Sequence, residues 1–355
     1  MGLVFDHETL GQRVLFGTGL TQQNLTAEVA RLGAQTVMVI AAAYEAEIAV
    51  KVTAGITAAV RYDDVVQHVP IEKAELARTV ALDNGVDLLV CVGGGSTTGL
   101  AKAIAMTTGI PIVAVPTTYA GSEATNVWGL TEGARKTTGV DNTVLPVTVI
   151  YDAALTYSLP ADLSVASGLN ALAHCIDSMW APRTDPINQA LAAEGIRALA
   201  SGLRWVHADG QDVAGREQTL YGAYLAAVSF ASAGSGMHHK ICHVLGGSYN
   251  LPHAQTHAIV LPYVTAFNAP YATDAAARIA QAFGSRDAVT GLNALRTDLN
   301  APKALRDYGF EEASIPEAAS IILPLVPASN PRPVTDAAIQ KLLHAAWAGD
   351  IPIFE

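Results

Sequence analysis

Cysteine is scarce in this 355-residue chain, which has only Cys91, Cys175 and Cys242. An odd number so widely spread makes no disulfide framework, and no CxxC or zinc-type spacing occurs. Positive charge is short as well. Lys and Arg total 21 against 32 Asp and Glu, a formal charge of −11, with no basic run. That balance argues against nucleic acid and against an anionic membrane surface as partners. Apolar runs stay brief: residues 37–43 are among the longest, far below the ~20 that a membrane span needs. The opening MGLVFDHETLGQRVLFG lacks the basic stretch and apolar run of a signal peptide. Asp6 stands where myristoylation of Met-Gly requires Ser or Thr. Repeats and low-complexity linkers are missing too. These absences lead us to expect a soluble protein of a reducing compartment, most simply the cytoplasm.

What is present is apolar mass. Half of the residues are hydrophobic and 15% charged, ample for a large core, and the length suits two domains of ~100–200 residues. Up to about residue 155, short β-branched runs alternate with amphipathic stretches. Residues 37–41 (VMVIA), 88–92 (LLVCV), 112–115 (IVAV) and 147–151 (VTVIY) have strand length and are apolar throughout. Such runs indicate parallel strands covered on both faces, with helices at 26–32, 73–84 and 97–108 as crossovers. From 156 to 355 the strand signal fades, and Ala- and Leu-rich helical segments follow at 163–180, 186–203, 216–233, 239–246, 273–283 and 335–347. The expected architecture is a doubly wound α/β nucleotide-binding domain (1–155) and a mainly α-helical catalytic domain (156–355), with the active site in the cleft between them.

The phosphate signal is Gly93-Gly94-Gly95-Ser96-Thr97, directly after a strand and opening a helix. Glycines let backbone N–H groups approach an anion, and the helix end adds partial positive charge. Gly17-Thr18-Gly19 is a weaker match because Gln22 replaces the third glycine of a dinucleotide fingerprint. No G-K-[ST] follows a glycine loop, which excludes a P-loop, and Thr98 spoils a nucleophile elbow. A second loop, 116–123, leaves the next strand at the same end and offers Thr117, Thr118 and Ser122 for a nucleotide's sugar or base.

Ten histidines in the whole chain put fewer than one into an average stretch of twenty, yet 238–257 holds five: His238, His239, His243, His253 and His257. His239 and His243 are one helical turn apart, and so are Asn170 and His174 upstream. Two facing helices would gather these side chains in one pocket. Its use is either a metal site or a proton-transfer and oxyanion site. Metal-binding imidazoles are usually accompanied by a carboxylate, and Asn170 carries no charge.

GGGSTTGLAK, PTTYAGSEAT, GLNALAHCID, HHKICHVLGGSYNLPH and the late NPRP (330–333) together resemble the iron-containing alcohol dehydrogenase family, in order and over nearly the whole chain. The resemblance implies a metal set of Asn170, His174, His239 and His253. Metal-dependent members have Asp at the position of Asn170, and many have Asp at that of Gly99. At both points the chain resembles the branch that reduces 4-oxohex-2-enedioate without metal. The implied activity is hydride transfer from a nicotinamide to that dicarboxylate. Catalytic roles fall to His243 first and His239 second, with His174, His253, His238 and Lys240 at the substrate. Lys240 facing solvent is the competing reading. The cofactor would meet Gly93, Gly94, Gly95, Ser96, Thr97, Thr117, Thr118, Ser122 and Lys136. NAD-specific relatives place Asp at the position of Ala42, so NADH is expected with NADPH tolerated. Relatives are commonly homodimers. The alternatives are a metal-dependent alcohol or polyol dehydrogenase of the same family, or a non-catalytic nucleotide-binding protein.

Overall fold

The computed structural model describes residues 4–133 and 135–351. They form two compact units. One is Leu10–Leu159; the other runs from Pro160 onward and takes in the segment up to Thr9. The division lies four residues beyond the expected one, at Pro160, which precedes a helix. The early segment joins the helical unit because His7 Nδ1 pairs with Asp185 Oδ2 at 2.8 Å.

The first unit is built on a six-stranded parallel sheet in the order β1-β8-β5-β4-β2-β3. Its strands are β1 (Arg13–Phe16), β2 (Val37–Ile40), β3 (Ala58–Tyr62), β4 (Leu88–Gly93), β5 (Ile112–Pro116) and β8 (Thr148–Tyr151). An antiparallel hairpin, β6 (Val127–Glu132) and β7 (Arg135–Val140), stands apart from it. The helices are α1 (Thr21–Leu32), α2 (Ala46–Val52), α3 (Ile71–Asp83) and α4 (Gly95–Thr108). The four continuous apolar runs are the four inner strands, buried at every residue. β1 and β3 were missed because they lie at the sheet edges, where residues are half-exposed and apolar runs are interrupted.

Between β2 and β4 the direction of winding reverses: β3 extends the sheet on one side, β5 and β8 on the other. In open α/β sheets the crevice beyond the strand ends at such a reversal is the ligand-binding place. The glycine loop leaves β4 there.

The second unit is helical: α5 (Ala161–Ser178), α6 (Pro186–Ala208), α7 (Val213–Ala233), α8 (Met237–Tyr249), α9 (His253–Asn268), α10 (Thr273–Phe283), α11 (Ala288–Asp298), α12 (Ile315–Ile322) and α13 (Asp336–Ala348). Met237, Ile241, Val244 and Leu245 of α8 join Ile259, Val260, Val264 and Phe267 of α9 in the core. Of the elements near the histidines, α9 escaped the sequence reading, since Pro262 lies inside it and interrupts a helical pattern.

Candidate active site

α5 carries Asn170, His174 and Asp177, one turn apart in succession, on a face that is buried. α8 brings His238, His239, Cys242 and His243, α9 brings His253 and His257, and α7 adds Phe230. The ring of His239 stacks on that of His174, with centroids 4.9 Å apart and planes 16° from parallel. Phe230 packs against both, at 4.3 and 4.8 Å. His243 meets His239 edge-on at 6.1 Å, and His253 lies 4.4 Å from His257. All six imidazoles of the expected pocket are therefore brought together.

Their depths differ. His243 and His253 are exposed, His174 lies at the border, and His238, His239 and His257 are within 1% of full burial. Burial, compounded by neighbouring imidazoles, holds the last three well below the usual histidine range. At His174 burial leads, Asp177 opposes it, and the outcome is a fall to about 4. The inner rings are neutral at physiological pH.

His238 does not face the open side. Its Nε2 is 2.9 Å from Nδ1 of His257 and 3.6 Å from Cys242 Sγ, so its assignment to the substrate is corrected to an internal hydrogen bond. Neighbours on a helix point about 100° apart: both rings reach His257, but His238 bonds to it while His239 stacks on His174. Lys240 is partly buried and close enough to His239 to lower its basicity further.

Asp177 is the residue that motif reading missed. Its Oδ2 lies 2.7 Å from His239 Nδ1 and accepts the Gly236 N–H at 2.8 Å. Burial raises the Asp177 carboxyl, while His238 and the amides of Gly236, His238 and His239 act against it. Gly236 caps α8, and a Cβ there would collide with the Asp177 carboxylate. With its proton held on Nδ1, neutral His239 presents an unprotonated Nε2. Asp177 follows His174 by three residues on α5, which is the sequence cue that it shares that helix face; its pairing with His239, 62 residues on, has no local cue.

An iron site implied by the resemblance fits these residues poorly. Among the described residues, the only three His, Cys, Asp or Glu side chains with ligand atoms within 4.8 Å of one another are His238, Cys242 and His257. Those three are already hydrogen-bonded, and burial pushes the Cys242 thiol well up, away from the thiolate that binds metal. Asn170 Oδ1, His174 Nδ1 and His239 Nε2 are buried without a protein partner, but they include no anion. Asp177, the carboxylate on this face of α5, engages its Oδ2 with His239 Nδ1, on the ring edge away from Nε2, and with the Gly236 amide.

In the other unit, Gly93 has φ +154°, and a Cβ there would collide with Glu45 and Thr97. Gly94 caps α4 with no side-chain hydrogen bond, and Gly95 and Ser96 open the helix. Thr118 borders this loop: its Cγ2 lies 3.1 Å from where a Gly94 Cβ would stand. Thr97 and Thr117 turn inward instead, giving their hydroxyls to Glu45 at 3.3 and 2.8 Å. Lys102, fully buried, donates to the carbonyls of Ser122, Thr125 and Val127 at 2.6–2.8 Å and so ties the second loop to α4. Burial pulls this ammonium down to about 7, with Glu123 opposing. Asp at the place of Gly99 would not fit without movement, since a Cβ there meets Val69 Cγ2 at 2.9 Å. Lys136 pairs through its backbone with Thr131, and its side chain lies outside the described residues.

The sequence profile of iron-containing alcohol dehydrogenases matches residues 11–153, and that of the C-terminal part of the same family matches 164–347. The chain belongs to this family and is an oxidoreductase. It is 42% identical to the maleylacetate reductase of Pseudomonas sp. (strain P51) over 350 residues, covering 98% of this chain and 99% of that one. The structure of an iron-containing alcohol dehydrogenase from Corynebacterium glutamicum superposes with a TM-score of 0.98 at 64% identity, covering 99% of both chains. That of maleylacetate reductase from Agrobacterium tumefaciens superposes with 0.94 at 36% identity, covering 98% of this chain and 99% of that one.

Proposed function

We propose that the chain is a maleylacetate reductase, converting 4-oxohex-2-enedioate to 3-oxoadipate in the breakdown of aromatic compounds. The observation that carries this reading is Asn170, an uncharged amide buried beside His174 and the Asp177-bound His239, where a metal enzyme of the family has a carboxylate.

A nicotinamide bound at the glycine loop would supply a hydride to C2. The C2=C3 electron pair shifts toward the C4 carbonyl, giving an enolate, and a proton at C3 restores the ketone. His243 gives that proton in this reading, which its exposure and its contact with His239 support. Donors aimed at an oxyanion in a protected site lower such a barrier substantially. His239 is neutral while the pocket is alone. The charges of a dianion favour uptake of a proton at Nε2, and Asp177 at 2.7 Å supports the resulting imidazolium. His174 and the exposed His253 orient the substrate. Lys240 and the imidazoles provide positive potential in a chain of charge −11.

On the cofactor side, Gly93, Gly94, Gly95 and Ser96 receive the phosphates at the start of α4, while Thr118 and Ser122 border the sugar. NADH is used and NADPH accepted. The reading includes a homodimer, a cytoplasmic setting and no metal. Among the described residues no helix is long and apolar enough to cross a membrane.

The test is oxidation of NADH by maleylacetate, repeated after exhaustive chelation. Turnover should persist, and simple aldehydes should be poor substrates. Activity lost to chelation and restored by iron or zinc, with aldehydes preferred, makes it a metal-dependent alcohol dehydrogenase instead.

A further inference from the structure

The glycine loop carries a negative charge of the protein's own. Glu45 follows β2 and is 5% exposed, at the reversal of the sheet beside Gly93. Its Oε1 accepts from Thr117 and its Oε2 from Thr97, which joins the ends of β2, β4 and β5 through one carboxyl group. Gly93 must be glycine for this carboxylate to come so near. Among the described residues Glu45 forms no ion pair.

That arrangement is costly beside an anion site. The first turn of α4 has room for a limited amount of negative charge, since its positive end is equivalent to about half an elementary charge. Glu45 and a bound phosphate draw on the same donors: the carboxyl already engages Thr97 in that turn and the Gly94 amide. Burial raises the Glu45 carboxyl, while Thr117, Thr97 and the amides of Ala42 and Gly94 restrain it. A dinucleotide must therefore either repel this charge or neutralise it by proton uptake, and each costs binding free energy. The cost grows with every further phosphate.

We infer that Glu45 is a specificity-determining residue, whose carboxylate behind the glycine loop weakens dinucleotide binding and sets NADH above NADPH. The inference rests on the reading of this loop as the cofactor site. It refines the expectation from Ala42. The strand end lacks an acid at that position, but Glu45, three residues on, returns a negative charge to the same crevice. The 2′-phosphate of NADPH adds further negative charge to the bound ligand and so to the cost.

Fluorescence titration with NADH and NADPH at pH 8 tests this on the wild type and Glu45→Gln. Glutamine keeps the shape, and the threonine hydroxyls can accept from its amide as well as donate to it. The wild type should bind NADH ~10-fold more tightly than NADPH, the scale of one partly screened charge pair. Glu45→Gln should tighten both, NADPH the more, and bring the two within roughly threefold of each other. Equal tightening of the two, or no change in either, overturns the inference. Should Glu45→Gln not fold, Glu45→Met removes the same charge and gives the same comparison. A wild type that binds neither nucleotide refutes the cofactor reading itself, a result separate from any behaviour of the variant.

Discussion

The two units hold their functional groups in opposite ways. In the α/β unit the elements proposed to bind phosphate are backbone: three glycines, a strand end and the first turn of a helix. Its buried charges, Glu45 and Lys102, brace that backbone from behind. In the helical unit the chemistry resides in side chains, stacked in depth from the exposed His243 and His253 to the buried His238 and His257. Backbone sites tolerate change wherever no Cβ is added. Side-chain sites depend on protonation and tautomer, so they respond to conservative substitutions and to pH. The two units should therefore fail differently, one in affinity and the other in rate.

The largest effect belongs to His243. Replacing it by alanine removes the exposed imidazole proposed as proton donor while leaving the Asp177–His239 pair in place. General acids contribute ~10²–10⁴-fold, so kcat in His243→Ala should fall by at least ~10²-fold, with NADH binding nearly unchanged. His239→Ala should act more on the KM for the dicarboxylate than on kcat. If His243→Ala retains its kcat and His239→Ala abolishes turnover, the two roles are exchanged.

Acid should separate the units next. His174 has a folded value near 4 against an ordinary 6.5, because burial disfavours its charge. Below pH 6.5 the unfolded chain binds a proton there that the folded chain refuses until about pH 4. Stability from this group is complete above pH 6.5 and is lost as the pH falls through that window, by about 3 kcal/mol. Asp177, raised by burial, offsets part of it. Urea unfolding of the wild type against His174→Gln, at pH 7 and pH 4.5, measures the difference. A wild type that loses no more stability than the variant would mean that His174 is protonated in the folded state.

Asp177→Asn is subtler, since the shape is kept. An amide nitrogen in the place of Oδ2 donates to His239 Nδ1, at the expense of the Gly236 N–H that Oδ2 also accepts, and so moves the imidazole proton to Nε2. Holding a catalytic imidazole in the wrong tautomer has cost ~10⁴-fold in a serine protease. For a second-rank group behind His243, ~10-fold or more in kcat is the expectation, with ¹⁵N chemical shifts of His239 reporting the tautomer. Unaltered shifts alongside reduced kcat would assign Asp177 a purely structural role at the start of α8.

Legibility in the sequence follows the same division. The inner strands could be read because full burial makes them continuously apolar, and the glycine loop because its position after LLVCV restricts its use. No residue of the edge strands β1 and β3 is fully buried, and they give no such run. The histidine cluster was evident from composition, but depth was not. His238 and His239 are adjacent in sequence, and only the helix phase turns one into the core and the other toward His174. Asp177 could be found from its spacing to His174 once a helix was assumed. Glu45 offered no local cue, because its partners Thr97 and Thr117 follow other strands and meet it only when the sheet forms.

The smallest effect, and the one that isolates the α/β unit, is expected from Gly94→Val. Gly94 has φ −82° and ψ −164°, an extended conformation open to any residue, so the fold should tolerate the change. A β-branched side chain would press on Thr118, where even a Cβ stands at 3.1 Å, and would stand over the amides at the start of α4. The Kd for NADH should rise by ~10-fold, the scale of one or two lost hydrogen bonds to a charged group. The kcat at saturating NADH should stay within about a factor of three, because the proton-transfer groups lie in the other unit. An unchanged Kd in a folded Gly94→Val protein would place the phosphates elsewhere in the crevice. A kcat that fell with the affinity would show that the loop also sets how the nicotinamide is presented, and that rate and affinity are not divided between the units as their side chains suggest.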